Sequence, residues 1–418
     1  MMVAGQSAVN YTWDSANRLT GITQGTSSVG LAYDNANRRT TLTLPNGVKV
    51  SYTYDLASHI AGLTYAMGST QLGNLTYTYD ADGRATAKGG SLAAVNLPTA
   101  VSGNAFNAAN EMTQFGARTM SYDANGNLAS DGTNTYTWDA RNHLSAMSGP
   151  VNASFVYDAF GRRTSKALNG VTTEFFYDGL NPVQELNGNN PPSPTANLLT
   201  GLNIDEYFTR TDTTGTRNFL TDALGSAIAL TDPSGTIQSQ YTYEPFGNVT
   251  ASGQANANPY QFTGRENDGT GLYLYRARYY SPTFQRFIAQ DPVPTAGNRL
   301  ISFLLTPRVS ASQRLNAYLY ALDDPVLFAD PLGLDPLCVG IWIAVAQNEI
   351  AVPFGDPRTG GGTGFCSCFW GCRACNGSLD LYNSDNDRPS TSGVETGGGE
   401  CTAPPPGPQT GCPDTSSN

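Results

Sequence analysis

Tyr77-Thr-Tyr-Asp-Ala-Asp-Gly-Arg84 is one member of a series. An aromatic-Asp pair recurs at Trp13-Asp14, Tyr33-Asp34, Tyr54-Asp55, Tyr79-Asp80, Tyr122-Asp123, Trp138-Asp139, Tyr157-Asp158 and Tyr177-Asp178, mostly at intervals of 16 to 25 residues, with Tyr243-Glu244 as a late variant. Upstream of several pairs aromatic residues alternate with Thr, as in Tyr11-Thr-Trp13, Tyr52-Thr-Tyr54 and Tyr136-Thr-Trp138. A period of two belongs to a strand. Three residues after each acid stand Asn17, Asn37, Ser58, Gly83, Gly126, Asn142, Gly161, Asn181 and Gly247. Gly and Asn tolerate positive φ, so this position predicts the left-handed residue of a tight turn whose Asp accepts backbone N–H bonds. Each repeat is then strand, turn, strand. A lone hairpin cannot bury its apolar face, so successive hairpins must stack laterally into a continuous sheet.

Composition agrees with an all-β chain. Among 418 residues there are 45 Gly, 25 Pro and 22 Tyr, and only 14% are charged. Long amphipathic helices need many charged residues outside, whereas Tyr, Thr and Val suit a pleated, half-buried surface. A net charge of −11 without a Lys/Arg cluster opposes nucleic-acid binding by the repeats. The longest apolar run, Leu337 to Ala346, is far short of a membrane span. The start, Met1 to Ser7, has no basic and apolar regions of a secretory signal, so export implies a specialised route. His59 and His143 fill the position taken by Arg18, Arg38, Arg84 and Arg162 in other repeats, which makes them repeat variants rather than catalytic bases. Asp80 to Gly83 and Asp123 to Asn127 begin like calcium loops but lack the remaining ligands. No cofactor is expected.

From Tyr260 the chain changes character: Tyr260-Gln-Phe-Thr-Gly-Arg-Glu-Asn-Asp-Gly-Thr-Gly-Leu-Tyr-Leu-Tyr-Arg-Ala-Arg-Tyr-Tyr-Ser-Pro282, then Gln285-Arg-Phe-Ile-Ala-Gln-Asp-Pro292, Asn316-Ala-Tyr-Leu-Tyr320, Asp324-Pro325 and Asp330-Pro-Leu-Gly-Leu334. In this order these segments resemble the core domain of the Rhs (rearrangement hotspot) and YD-repeat family. Phe219 to Ser226, Leu230 to Gly235 and Tyr241 to Gly247 resemble the segment preceding that core. The resemblance implies YD-repeat hairpins wound into a spiralling β-sheet shell, a core domain plugging one end, and a variable C-terminal segment that is often a toxin. It divides this chain into repeats (1–254), core (255–334) and a Cys-, Gly- and Pro-rich irregular tail (335–418). The repeats here are too few to enclose a polypeptide, so the chain reads as a partial shell, truncated at its N-terminus, with an unpaired first strand.

The resemblance also implies self-cleavage by paired aspartates, an autoproteolytic activity confined to the protein's own chain. The Asp of Asp-Pro-x-Gly-Leu carries onto Asp330, and the cut falls between Leu334 and Asp335. Two carboxylates sharing a proton suit this chemistry, because one becomes the acid while the other activates water. Asp324, nearest in sequence, is the first expectation for the second carboxylate, with Asp323 and Asp291 as alternatives. Asp330-Pro-Leu-Gly also reads simply as a turn. Arg276, Arg278, Arg286, Tyr279 and Tyr280 read as structural, Arg stems packed on aromatics. All seven cysteines lie from Cys338 onward. Cys366, Cys368, Cys372 and Cys375 are a weak zinc candidate, set against disulfides of an exported domain or a disordered tail. Implied partners are the tail as cargo, a secretion machine and an immunity protein. The alternative is a secreted or cell-surface adhesion protein that binds a glycan or surface partner and releases nothing.

Overall fold

A computed structural model describes residue 3, residues 5–292 and residues 316–334. The cysteine cluster, the rest of the tail and the apolar stretch 297–315 lie outside the described residues. The described chain is almost entirely β, in open antiparallel sheets whose strands pair in chain order. The first sheet has eight strands, from Val9–Trp13 to Ala85–Gly89, and the second has fourteen, from Ser121–Tyr122 to Val249–Gly253. A small three-stranded sheet (Ala105–Phe106, Met112–Phe115, Arg118–Thr119) lies between them in sequence. A four-stranded core sheet follows: Glu266–Asn267, Tyr273–Tyr275, Arg278–Ser281 and Arg286–Phe287. No helix among the described residues is long and apolar enough to cross a membrane.

The repeated turn forms as its residues dictate. Asn17 N–H donates to the Asp14 carbonyl and Asp14 N–H to the Arg18 carbonyl, both at 3.0 Å. Asp14 Oδ1 accepts the Ala16 and Arg18 N–H groups at 2.9 and 3.0 Å, while Oδ2 takes Arg18 Nε at 2.8 Å. Asn17, Asn37, Ser58, Gly83, Gly126, Asn142, Gly161 and Gly247 all have positive φ. Pairing registers slip just before the acid, between Thr12 and Trp13 or Thr53 and Tyr54, for example. This is a type I turn closed by a left-handed residue and a bulge, the standard three-residue hairpin loop. Asp222 to Ser226 and Asp232 to Thr236 close the same way. Asn181 departs from expectation. It pairs with Asp178 across a two-residue Gly179-Leu180 loop, where Gly179 carries the positive φ, and its amide is used elsewhere.

Successive turns are tied together. In several repeats the aromatic hydroxyl donates to a carbonyl of the repeat before it: Tyr33 to Leu19, Tyr54 to Arg39, Tyr157 to Leu144 and Tyr177 to Arg163, at 2.7 to 2.8 Å. Trp138 does the same through its indole N–H to Leu128 at 2.8 Å. Arg18 then lies over Tyr33 at 5.1 Å and Arg38 over Tyr54 at 4.7 Å, while His59 and His143 sit 4.7 Å from Tyr79 and Tyr157. The histidines thus occupy the arginine's place in the ladder.

The first sheet buries Ile22, Val29, Val48, Leu63 and Leu75 against Leu199, Phe208, Leu220 and Ile228 of the second. The alternate residues of three of those strands, Leu198, Tyr207 and Phe219, pack on the opposite face around Tyr260 together with Ala227 and Leu230, which flank the bulged Ile228 and Ala229. Strands Pro194–Thr200 to Ala227–Thr231 therefore have apolar partners on both faces, and the two repeat sheets share one core.

Asp34 tests the turn chemistry, since its Oδ1 takes the Ala36 and Arg38 N–H groups and its Oδ2 takes Arg38 Nε. Asp34→Ala is expected to cost about 1–2 kcal/mol by urea unfolding, whereas Asp34→Asn, which keeps the acceptor and loses only a surface ion pair, is expected to cost less than about 0.5 kcal/mol.

Candidate active site at the end of the core

The core sheet is a wedge whose two faces serve two clusters. Leu272, Leu274 and Tyr279 pack with Phe284 and Ile288 against the start of the second sheet, including Leu128, Leu144 and Phe155. The intervening Tyr273, Tyr275 and Tyr280 pack with Phe262, Phe287 and Tyr320 in an aromatic cluster. A buried ionic network anchors this wedge to the repeats. Arg163 Nη2 meets Glu266 at 2.6 Å, Arg163 Nη1 meets the Tyr279 hydroxyl at 2.9 Å, and Lys166 Nζ meets Glu266 at 2.7 Å. Burial pushes the Glu266 carboxyl up, but Arg163 and Lys166 outweigh it and hold it down at about 2.

The hairpin joining Tyr273–Tyr275 to Arg278–Ser281 has only Arg276 and Ala277 in its loop, and it grips the Asp330–Leu334 segment. Three consecutive carbonyls are held: Pro331 by the Arg276 guanidinium, Leu332 by Ala277 N–H at 3.1 Å, and Gly333 by Arg278 Nε at 2.6 Å. Gly333 has φ of 65°, and a Cβ there would stand 2.0 Å from the Tyr275 carbonyl oxygen. Glycine is required both by conformation and by the close approach. Gly333 N–H closes a turn onto the Asp330 carbonyl, and Leu334 N–H donates to Asp330 Oδ1 at 3.1 Å. The segment is the turn its residues suggest, with an acid placed inside it.

Asp330 is fully buried. Burial pushes its carboxyl up to about 7; Arg278 and the Leu334 N–H pull against this, and Asp291 adds to it. Arg278 Nη2 lies 2.8 Å from Asp291 Oδ2 and 3.5 Å from Asp330 Oδ2, with its guanidinium 3.6 Å over the Phe287 ring. One cation therefore bridges two nearly buried carboxylates. Asp324, the first expectation for the second carboxylate, is placed otherwise: half-buried, it follows a 3-10 turn at Ala321–Asp323, its carboxyl is raised by burial, and a bond from Leu327 and the field of Arg84 oppose that rise. Asp323 is exposed and lies in the field of Arg286. Of the three candidates the fold brings Asp291 to Asp330, on the shared Arg278. Sequence could not separate them, because Asp291, Asp324 and Asp330 all precede Pro. Arg278, read as a packing residue, does pack on Phe287, but it also joins the two acids. Among the described residues no group of three or more His, Cys, Asp or Glu could hold a metal ion. A cleft of about 260 Å3 opens beside the segment, lined by Tyr177, Leu180, Arg276, Leu332 and Leu334 among others.

Stacked aromatic-Asp hairpins closed by an aromatic, Arg-rich core define a YD-repeat shell protein. The family profile for the Teneurin YD-shell matches residues 49–326 and that for the RHS repeat matches residues 13–49, so the chain belongs to the Rhs/YD-repeat family. It is 33% identical over 273 residues to the tRNA3(Ser)-specific nuclease WapA of Bacillus spizizenii, covering 62% of this chain and 11% of that protein. It is 28% identical over 253 residues to double-stranded DNA deaminase toxin A of Burkholderia cenocepacia, covering 51% and 16%. The chain thus spans under a fifth of the length of either relative. The crystal structure of TcdB2-TccC3-Cdc42 superimposes with a TM-score of 0.57 at 18% identity, over 81% of this chain and 21% of that one, a likeness of fold.

Two expectations follow. Gly333→Ala should cost more than about 2 kcal/mol by urea unfolding, since backbone must move to admit the methyl group. Asp330 keeps its proton to about pH 7 when folded but ionises near 3.8 when unfolded, so folding takes up a proton between these values. The associated stability is complete below about pH 4 and is lost as pH rises through about 7, at up to ~1.4 kcal/mol per unit. Asp330→Asn should remove that slope, so its urea midpoint should gain on wild type from about pH 4 to pH 7.

Proposed function

We propose that this chain is part of the shell of an Rhs-type toxin or effector, that its core (255–334) cuts the backbone between Leu334 and Asp335, and that the cut releases residues 335–418. The observation that carries this reading is a fully buried Asp330, protonated at near-neutral pH, sharing Arg278 with Asp291 while accepting the N–H of Leu334. The roles follow from the environments. Asp291, paired with Arg278, takes a proton from a water entering by the cleft. The water oxygen bonds to the Leu334 carbonyl carbon, and the proton of Asp330 passes to the Asp335 nitrogen as the C–N bond breaks. The products are a Leu334 carboxyl group and a free Asp335 amine. Arg278 bridges Asp291 and Asp330 and holds the Gly333 carbonyl one residue upstream of the cut.

A tail released in this way is cargo, and an exported carrier with a secretion machine and an immunity protein is the setting that suits it. Toxins with different named activities among the relatives support a shell of this kind carrying different cargoes.

Intact mass at neutral pH decides the matter, with the junction sequenced because Asp324-Pro325, Asp330-Pro331 and Asp335-Pro336 are acid-labile bonds. A cut at Leu334-Asp335 is expected in wild type, slowed about 10²–10⁴-fold in Asp330→Asn and Asp291→Asn, unchanged in Asp324→Asn, and failing above about pH 7 as Asp330 loses its proton. An uncut wild-type chain would reject self-cleavage and favour a repeat protein that releases nothing.

A further inference from the structure

The hairpin that grips Asp330–Leu334 is itself held by the repeat sheet. Asp205 lies in the connection between the strands Pro194–Thr200 and Tyr207–Asp212, with its carboxylate almost fully buried. Its Oδ1 meets Arg265 Nη1 at 2.5 Å and Arg276 Nη2 at 2.7 Å, and its Oδ2 takes Arg276 Nη1 at 2.9 Å. Arg276 Nη1 also donates to the Pro331 carbonyl, adjacent to Asp330. Arg276 has φ of 49°, a left-handed backbone that a long side chain adopts only under constraint. The two-toothed bond from Asp205, with a third bond from Arg276 Nη2 to the Leu180 carbonyl, supplies that constraint.

Asp205 is in turn set from both repeat sheets. Its N–H donates to Asn181 Oδ1 at 2.9 Å, and Asn181 Nδ2 donates to the Asn203 carbonyl at 2.8 Å. Asn203 Nδ2 reaches Glu206 Oε2 at 3.2 Å, and Glu206 Oε1 meets Arg39 of the first sheet at 2.7 Å. A continuous polar path therefore runs from the first sheet to the carbonyl beside the acid. Asp205 itself φ is 61°, so its backbone too is held off the ordinary regions.

We propose that Asp205 is a positioning residue for the cut: through Arg276 it latches the Asp330–Leu334 segment onto the hairpin, so that the aspartate pair is completed only when the repeat sheets are docked on the core. This rests on the self-cleavage reading. Cleavage then reports assembly, because a chain whose repeats have not docked lacks the latch and keeps its tail. Asp205 touches neither carboxylate; its effect passes through Arg276, which holds the Pro331 carbonyl, and through Arg265, which holds the Leu274 carbonyl of the hairpin strand.

The test uses the full chain with Asp205→Ala, Asp205→Asn and, as a control that loosens the first sheet without touching the latch, Leu31→Ala. Asp205→Ala should slow the cut roughly 10²-fold through misplacement of the segment, and Asp205→Asn, which keeps acceptors for Arg276, should recover part of the loss. A readout that mere destabilisation would not move is the upper limit of the pH profile. The groups facing Asp330 are Arg278, Asp291 and Tyr320, and a loosened segment admits water among them. That limit should therefore fall in Asp205→Ala and stay put in Leu31→Ala. Independently of cleavage, amide exchange is followed in the Asp330→Asn background at Ala277, which donates to Leu332, and at Leu334. Adding Asp205→Ala should speed exchange at both by about tenfold or more. Unchanged exchange overturns the latch whether or not the chain is cut, and faster exchange with an unaltered rate and pH limit overturns its role in the cut. A wild-type chain that is never cut rejects the self-cleavage reading, and the positioning role with it, while exchange still decides the contact.

Discussion

The stacking of the repeats rests on the bond from the aromatic residue of one repeat back to the repeat before it. A strand pair closed by an Asp turn is locally satisfied but has no reason to choose one neighbour over another. The Tyr hydroxyl on the preceding carbonyl, with the preceding Arg or His laid over the same ring, supplies that reason. Each contact alone is worth little at a half-exposed site. Repetition turns them into a ruler, since a register slip of one residue would break the hydroxyl bond and turn the apolar face outward together. The bulge before Asp14, Asp34 and Asp55 twists the strand end and re-aims the aromatic residue there.

Stacking of this kind makes a sheet but leaves it two faces to cover, and the core solves this at one end. Its strands alternate, one set of side chains to the second sheet and the other to an aromatic cluster. Where it crosses the strand Arg163–Leu168 the contact is ionic: Arg163, Lys166, Glu266 and Asp268 come together with almost no exposure. Such a group is poor value for stability, since desolvation consumes most of the attraction. Its worth lies in geometry, because a core shifted by one residue would strand buried charges. The core is thereby set to a single position on the sheet, and the hairpin at Arg276 and Ala277 is set with it.

How much of this was legible in the sequence divides along local and non-local physics. The strand-turn-strand repeat and the left-handed residue of the turn are local, and Gly or Asn at Asn17, Gly83 and Gly126 announces them. Asn181 misled because a Gly two residues earlier offered a shorter loop, and backbone conformation goes to the residue that adopts it at least cost. The site was legible only in half. Asp330 stands in a motif with its own turn chemistry, but its partner depends on where the strand Arg286–Phe287 delivers the following residues. Sequence proximity favoured Asp324, while the sheet delivers Asp291. Arg276 and Arg278 are alike in sequence and differ in the fold, because Arg276 lies in the loop with a left-handed φ of 49° and turns to Asp205, while Arg278 begins the next strand and reaches the acids.

The strongest reason to see more than a turn at Asp330 is a comparison within the chain. Asp14, Asp34, Asp139 and Asp158 occupy turns, remain a fifth to a third exposed, and accept several N–H bonds that hold their carboxyls below the ordinary value despite some burial. That is what an Asp does for a turn: it stays ionised and draws the backbone in. Asp330 closes a turn of similar size yet has no exposed surface, and its carboxyl is pushed the other way, up to about 7. Turn formation accounts for Pro331 and Gly333, and the hairpin's three bonds to the carbonyls of Pro331, Leu332 and Gly333 account for the segment's place. None of these needs an acid at 330. Burying one beside Asp291 opposes folding at neutral pH, and an Asn there would keep the bond from Leu334 without that opposition. A feature that works against folding, in contact with the residue before the expected cut, is what the proposed self-cleavage would require and what a turn alone does not.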